Sequence, residues 1–198
     1  MNRMQIKPIT LEGKFARLAP LKLEHLPELY EAASDESLWL WTTNIIKTKE
    51  DALRYIETAL GEFERKVSLP FITVEKSSGK IVGSTRFGNV ETRHRKAEIG
   101  WTWINPRWQR TNINIEAKLL MLTHAFETWN CVRVELKTDV LNEKSRRAIL
   151  RLGAKEEGIL RNHLITDAGR FRDTVYFSII DAEWQTVKAA LKEKLESF

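Results

Sequence analysis

The apolar positions of this chain change period several times, and each change predicts an element. Phe15 to Pro20 reads as a short strand. Leu26, Leu29, Tyr30 and Ala33 then recur at helical spacing. A second helix is predicted from Lys49 to Lys66, with a stripe of Ala52, Tyr55, Ile56, Ala59, Leu60 and Phe63. Thr48, with Asp51 three residues on, suits its N-cap. Leu69 to Glu75 and Lys80 to Phe87 read as strands around the turn Lys76-Ser77-Ser78-Gly79. Lys96 to Ile104 is a third strand of that run, stopped by Asn105-Pro106. A helix begins near Asn114, where Ile115, Leu119, Leu122, Phe126 and Trp129 keep helical phase. Val132, Val134 and Leu136 alternate with charged residues as a strand. Asn142 to Leu152 is a helix closed by Gly153. Lys155 to Leu160 and Thr174 to Ile180 predict two last strands, and Trp184, Val187, Leu191 and Leu195 a terminal helix over 182–196. The order implies a mixed α/β chain around one central sheet. No repeat or linker divides it, so one domain over 1–198 is expected, its core spanning about 11–184.

Composition narrows the chemistry. At 198 residues, 42% apolar and 30% charged, the chain can bury a core and is not disordered. A lone cysteine, Cys131, excludes an intramolecular disulfide framework and reads as a small core residue. His25, His94, His124 and His163 have no metal-ligand spacing, so no metal is expected. No apolar run reaches a membrane span, and the first residues lack a signal-peptide stretch; a cytoplasmic protein with no membrane partner is the expectation. The net charge of +5 is modest and intermixed with acid. It favours anions in general, and nucleic acid is not the expected partner.

The segment Asn105 to Ala117 carries the most chemistry. It joins a strand to a long helix, where loop amides and the first helical turn can bind a phosphate. An ordinary loop capped by Asn114 would read the same way.

Here the chain resembles the GCN5-related N-acetyltransferase (GNAT) superfamily, and within it the ribosomal-protein alanine acetyltransferase branch of RimJ/RimL type. Gln109-Arg110-Thr111-Asn112-Ile113-Asn114 stands where that family wraps a pyrophosphate, with Asn at both of its small-residue positions. Ala97-Glu98-Ile99-Gly100-Trp101 resembles its fourth strand. Asn142, Ser145 and the run to Ala154 resemble the opening of its last cofactor-side helix. Glu157 to Arg161 and Asp173 to Ile180 fit its closing strands, so the likeness runs from Leu11 to Trp184. The resemblance implies the GNAT acyl-CoA N-acyltransferase fold, a mixed, mostly antiparallel sheet flanked by helices. It also implies acetyl-CoA as acyl donor, and an amine acceptor that is a small molecule or a protein N-terminus.

Strand alternation puts Glu98 on one face with the small residues Gly100 and Thr102, and Ala97, Ile99, Trp101 and Trp103 on the other. Glu98 is therefore the candidate base; pairing with Arg95 or Lys96 is the alternative. The resemblance implies further roles. Ser145 stands as leaving-group donor and cofactor contact. Asn142 would touch the pantetheine arm as well as cap its helix. Trp103 and Ile104 would offer backbone groups to that arm, and Gln109, Arg110, Thr111, Asn112, Ile113 and Asn114 would hold the pyrophosphate, with Lys118 adding charge. Trp39 and Trp41 would wall the acceptor site, unless they pack the first two helices together. A catalytically idle acyl-CoA sensing module is the competing function, and a homodimer stays open.

Overall fold

The computed structural model describes residues 4–197. Its elements follow the sequence pattern closely: β1 (Leu11–Glu12), β2 (Ala16–Pro20), α1 (Leu26–Ala32), α2 (Lys49–Glu64), β3 (Leu69–Glu75), β4 (Ile81–Glu91), β5 (Lys96–Ile104), α3 (Asn112–Thr123), β6 (Arg133–Asp139), α4 (Glu143–Arg151), β7 (Lys155–Ile165), β8 (Phe171–Ile180) and α5 (Asp181–Glu196). The α2 N-terminus is the capping box expected, with Thr48 accepting from the Asp51 amide and Asp51 answering the Thr48 amide. The helical period through Trp129 is broken late. After Thr123 the turn widens over His124–Thr128, and the Trp129 amide donates to the His124 carbonyl at 3.0 Å.

All the strands join one sheet in the order β1-β2-β3-β4-β5-β6-β8-β7. Every neighbouring pair is antiparallel except β5 and β6. One face packs α3, α4 and α5 over Leu18, Phe87, Ile99, Val134, Leu136 and Phe177. The other packs α1 and α2 over Ile72, Val74 and Trp103. No helix among the described residues is long and apolar enough to cross a membrane.

Two irregularities set the site. The parallel ladder between β5 and β6 holds only Lys96↔Arg133, Ala97↔Val134 and Glu98↔Glu135. Beyond Glu98 the strands part, while β6 continues its pairing with β8 to Asp139. The facing edges of β5 and β6 therefore lie open from there. The second irregularity is a bulge in β5. Its register against β4 shifts between Ser84 and Arg86, and Trp101 takes a left-handed φ of 50°. The bulge reverses the alternation that the sequence predicts. Ala97 and Ile99 face α3, but beyond Trp101 it is Thr102 and Ile104 that do so, and Trp103 joins the α1–α2 core. Thr102 thus leaves the Glu98 face, and Trp103 does not lie opposite it.

The start of α3 is fixed by its own Glu116. This buried carboxylate accepts the amides of Lys14, Phe15 and Ala16 at 2.7, 2.7 and 2.6 Å. Gly13 makes the approach possible, since a Cβ there would stand 2.2 Å from the carboxylate carbon.

Candidate active site

Glu98 is 2% exposed and sits at the last rung before β5 and β6 separate. Its partner is neither Arg95 nor Lys96, the pair the sequence suggested. Lys137 Nζ lies 2.9 Å from Oε2, and Asn89 Nδ2 donates to the same oxygen at 2.9 Å. Lys96 is drawn instead to Glu91 and Glu135. Both Glu98 contacts fall on Oε2. Its Oε1 points over Gly100, where a Cβ would stand only 2.8 Å away. The glycine leaves space beside a carboxylate oxygen that has no partner among the described residues.

Trp101 spreads over this face between two cations. Arg86 stacks 4.9 Å from its ring and 4.9 Å from that of Tyr55, and Lys137 lies 5.9 Å from Trp101. Arg86 is 2% exposed and pairs with Glu62 at 2.9 Å. A cavity of about 270 Å³ opens here, with Tyr55, Arg86, Trp101, Asn44 and Asp167 in its lining. Its rim joins distant segments: the Asp167 amide donates to Thr43 O, and Asp167 Oδ2 accepts the Ile45 amide, both at 3.1 Å. Trp41 is half-buried near this rim with the Arg170 guanidinium 5.6 Å from its ring, so a cation of the protein already occupies that face. Trp39 takes the packing alternative. It is 6% exposed, donates to Ala33 O at 3.1 Å and meets Trp103 edge-on at 5.6 Å.

On the opposite face the loop after β5 leads into α3. The helix begins at Asn112, not near Asn114, and Thr111 rather than Asn114 is its N-cap. The left-handed residue of the loop is Arg110, with φ 62°; the two asparagines that replace small residues lie within the first helical turn. Their Oδ1 atoms are buried without a partner among the described residues. Gln109 folds back, donating to Ile104 O at 2.7 Å and accepting from Lys144 at the start of α4. Asn142 caps α4 as expected, its side chain accepting the Ser145 amide at 3.0 Å. Ser145 is half-buried in that first turn. The β5 edge that carries Trp103 and Ile104, with the Ile104 carbonyl taken by Gln109, therefore runs towards the N-termini of α3 and α4. Lys118, expected near phosphates, points inward instead. It is buried, donates to Thr102 Oγ1 at 2.5 Å and Thr85 Oγ1 at 3.2 Å, and burial pulls its amine down to about 7.

Residues 16–155 match the family model described as the acetyltransferase (GNAT) domain. The chain belongs to the GNAT acetyltransferase family. Among curated relatives it is 31% identical over 174 residues to YdaF of Bacillus subtilis (strain 168), provisionally named a ribosomal N-acetyltransferase; the match covers 86% of this chain and 92% of that one. A crystal structure of a GCN5-related N-acetyltransferase from Brucella melitensis superposes with a TM-score of 0.88 at 30% identity, covering 96% and 86% of the two chains. Mycobacterium smegmatis RimJ, solved in complex with CoA-disulfide, shares the fold at a TM-score of 0.81 and 22% identity, over 96% of each chain. The likeness to the RimJ/RimL branch read from the sequence agrees with these relatives.

Around Glu98 and Trp101 this GNAT acetyltransferase places side chains that sequence patterning did not single out. Lys137 reads as one more charged position of an alternating strand. Only the parallel register of β5 against β6 brings it to Glu98. Arg86 and Asn89 enter through β4, whose extension to Glu91 the hydrophobic pattern did not show. Cys131 is the buried core residue expected, its thiol pushed up to about 12 by burial.

Proposed function

We propose that this acetyltransferase moves an acetyl group from acetyl-CoA to a primary amine by direct attack within a ternary complex. The observation that carries the reading is the placement of Glu98, a buried carboxylate with one uncommitted oxygen, at the point where β5 and β6 part. The donor's pantetheine would extend the sheet along the open β5 edge at Trp103 and Ile104, as an added strand does. Gln109 to Asn114 and the first turn of α3 would hold its pyrophosphate, with backbone amides and the positive end of the helix. The Asn112 and Asn114 side chains would meet the phosphates only through their Nδ2 donors, since their buried Oδ1 atoms can only accept. Asn142 and Ser145 would close on the arm from α4.

Acetyl-CoA supplies an activated thioester; the chain supplies position and proton handling. Glu98 Oε1 would accept the proton lost by the amine, directly or through a water over Gly100. The new C–N bond forms as the C–S bond breaks, and the Ser145 hydroxyl would donate a hydrogen bond to the departing sulfur. The named relatives support the class of reaction, and RimJ supports the nature of the donor. Free-thiol release from acetyl-CoA across a panel of amines, alongside calorimetry of coenzyme A binding, tests the proposal. Binding in equal proportion with thiol release is expected. Binding without release for any amine would favour an idle acyl-CoA sensor, and absence of binding would refute the donor assignment.

A further inference from the structure

The sheet face that carries Glu98 continues across β6 and β8, and there it holds more positive charge than it neutralises. Lys137 lies opposite Tyr176 and Asp139 opposite Thr174, while Arg172 lies opposite Leu164 of β7. Lys137 Nζ stands 5.6 Å from the Tyr176 ring, and the His163 ring packs edge-on to Tyr176 at 5.6 Å. His163 reaches that position because β7 shifts register between Leu160 and Leu164. Lys137 is taken by Glu98, and Arg170 by Asp139. Arg172 has no ion-pair partner among the described residues, although it is only 7% exposed. Its Nε–H is buried without an acceptor. Two neighbours share the condition: Thr174 Oγ1, in a residue with no exposed surface, and His163 Nδ1. Burial draws Arg172 below its ordinary value, and the nearby Asp139 charge opposes this without bonding to it. Buried donors are normally satisfied, so three unpartnered groups on adjacent strands point to a missing guest.

We propose that Arg172, His163 and Thr174 form a carboxylate-binding subsite on the sheet face that carries Glu98, so that the amine this enzyme acetylates also carries a carboxylate. The inference rests on the amine-acetylation reading above. One unpaired guanidinium balances one negative charge, and its planar fork matches a carboxylate. Glu98 and Asp139 on the same face oppose a more highly charged anion such as a phosphate. The donor's phosphates belong to the other side, at the N-termini of α3 and α4.

Calorimetry on the coenzyme A-loaded protein tests this with matched probes. Glycine, β-alanine and γ-aminobutyrate are compared with their amides, as are tripeptide amides with Glu or Gln at the second position. In at least one pair the carboxylate member should bind about tenfold tighter or more. Arg172→Met should erase that preference and leave coenzyme A binding unchanged. Arg172→Lys should keep part of the preference, and thermal melts confirm that each variant is folded. Equal affinity within every pair, no binding by any probe, or a preference that survives in a folded Arg172→Met protein would overturn the subsite. Thiol release without carboxylate preference refutes the subsite alone. Carboxylate preference in binding without thiol release refutes the acetylation reading and leaves the subsite standing.

Discussion

Lys118 offers the sharpest physical test of this structure. Its amine is buried on the α3 face, hydrogen-bonded to two threonine hydroxyls and, among the described residues, to no carboxylate. Burial lowers it from 10.5 to about 7. That gap corresponds to roughly 5 kcal/mol of unfavourable free energy for the charged form in the folded state. In the unfolded chain the amine keeps its proton up to about pH 10.4. Between the two values the unfolded state binds one more proton, so stability should rise with pH at ~1.4 kcal/mol per unit. Below pH 7 the cost applies in full. Lys118→Met removes the charge at similar volume and forfeits hydrogen bonds worth about 1 kcal/mol each. Near pH 7 the variant should therefore be more stable by roughly 3 kcal/mol, an advantage that shrinks as pH rises. Urea unfolding at intervals from pH 6.5 to 8.5 reads this out. The window stops short of pH 9 because the Cys131 thiol, held up to about 12, adds a slope of opposite sign where its unfolded form ionises. The difference between wild type and variant cancels what the two share. A difference that is flat across the window, or a variant less stable at pH 7, would refute a desolvated and uncompensated amine.

Other expectations follow from the site. Glu98→Gln should lower kcat by about 10²–10⁴ with coenzyme A affinity nearly unchanged, and the loss should narrow at high pH as the free amine fraction grows; full activity in the folded variant would remove Glu98 from the mechanism. Gly100→Ala places a Cβ 2.8 Å from Glu98 Oε1, so turnover should fall while the melting temperature changes little by comparison, measured by thiol release and calorimetric scanning. Asn142→Ala removes the acceptor for the Ser145 amide and should cost about 1 kcal/mol in chemical denaturation, with weaker coenzyme A binding. Cys131 should stay unreactive to a chromogenic disulfide reagent at pH 8 in the native protein and react once it unfolds, because burial holds the thiol protonated.

The periodicities were sufficient for the helices and for most strands, because α2 and α5 each bury one apolar stripe, and α2 and α4 begin at readable caps, Thr48 and Asn142. They were insufficient at β5. Alternation assumes one residue per pleat, and Trp101 breaks it with a left-handed backbone that no local pattern announces. The same applies to Lys118: a lysine near the start of a helix beside a candidate phosphate loop reads as added charge or as solvated, and only the placement of Thr85 and Thr102 under it shows otherwise. Glu98 was legible as a candidate through its small neighbour Gly100, yet its ion pair depends on a strand more than thirty residues on. Sequence showed the segment Gln109 to Asn114 to be special, but not which residue takes the unusual backbone. That is Arg110, and the asparagines sit in the helix.

The bulge at Trp101 also decides how mutations along β5 will be tolerated. Before it, odd-numbered positions such as Ala97 and Ile99 lie in the layer with α3. After it, even-numbered positions such as Thr102 and Ile104 do. A saturation scan should therefore record two tolerance patterns in opposite phase, meeting at Trp101. Deleting Trp101 would remove the extra residue and restore a single phase with Thr102, Trp103 and Ile104 in the layers they already occupy, whereas an insertion or deletion at a regular position of β5 would send every residue beyond it to the wrong layer. Single-residue insertions and deletions should accordingly be far more damaging to folding at the regular positions of β5 than a deletion of Trp101 or a change within the exposed Ser77–Gly79 turn.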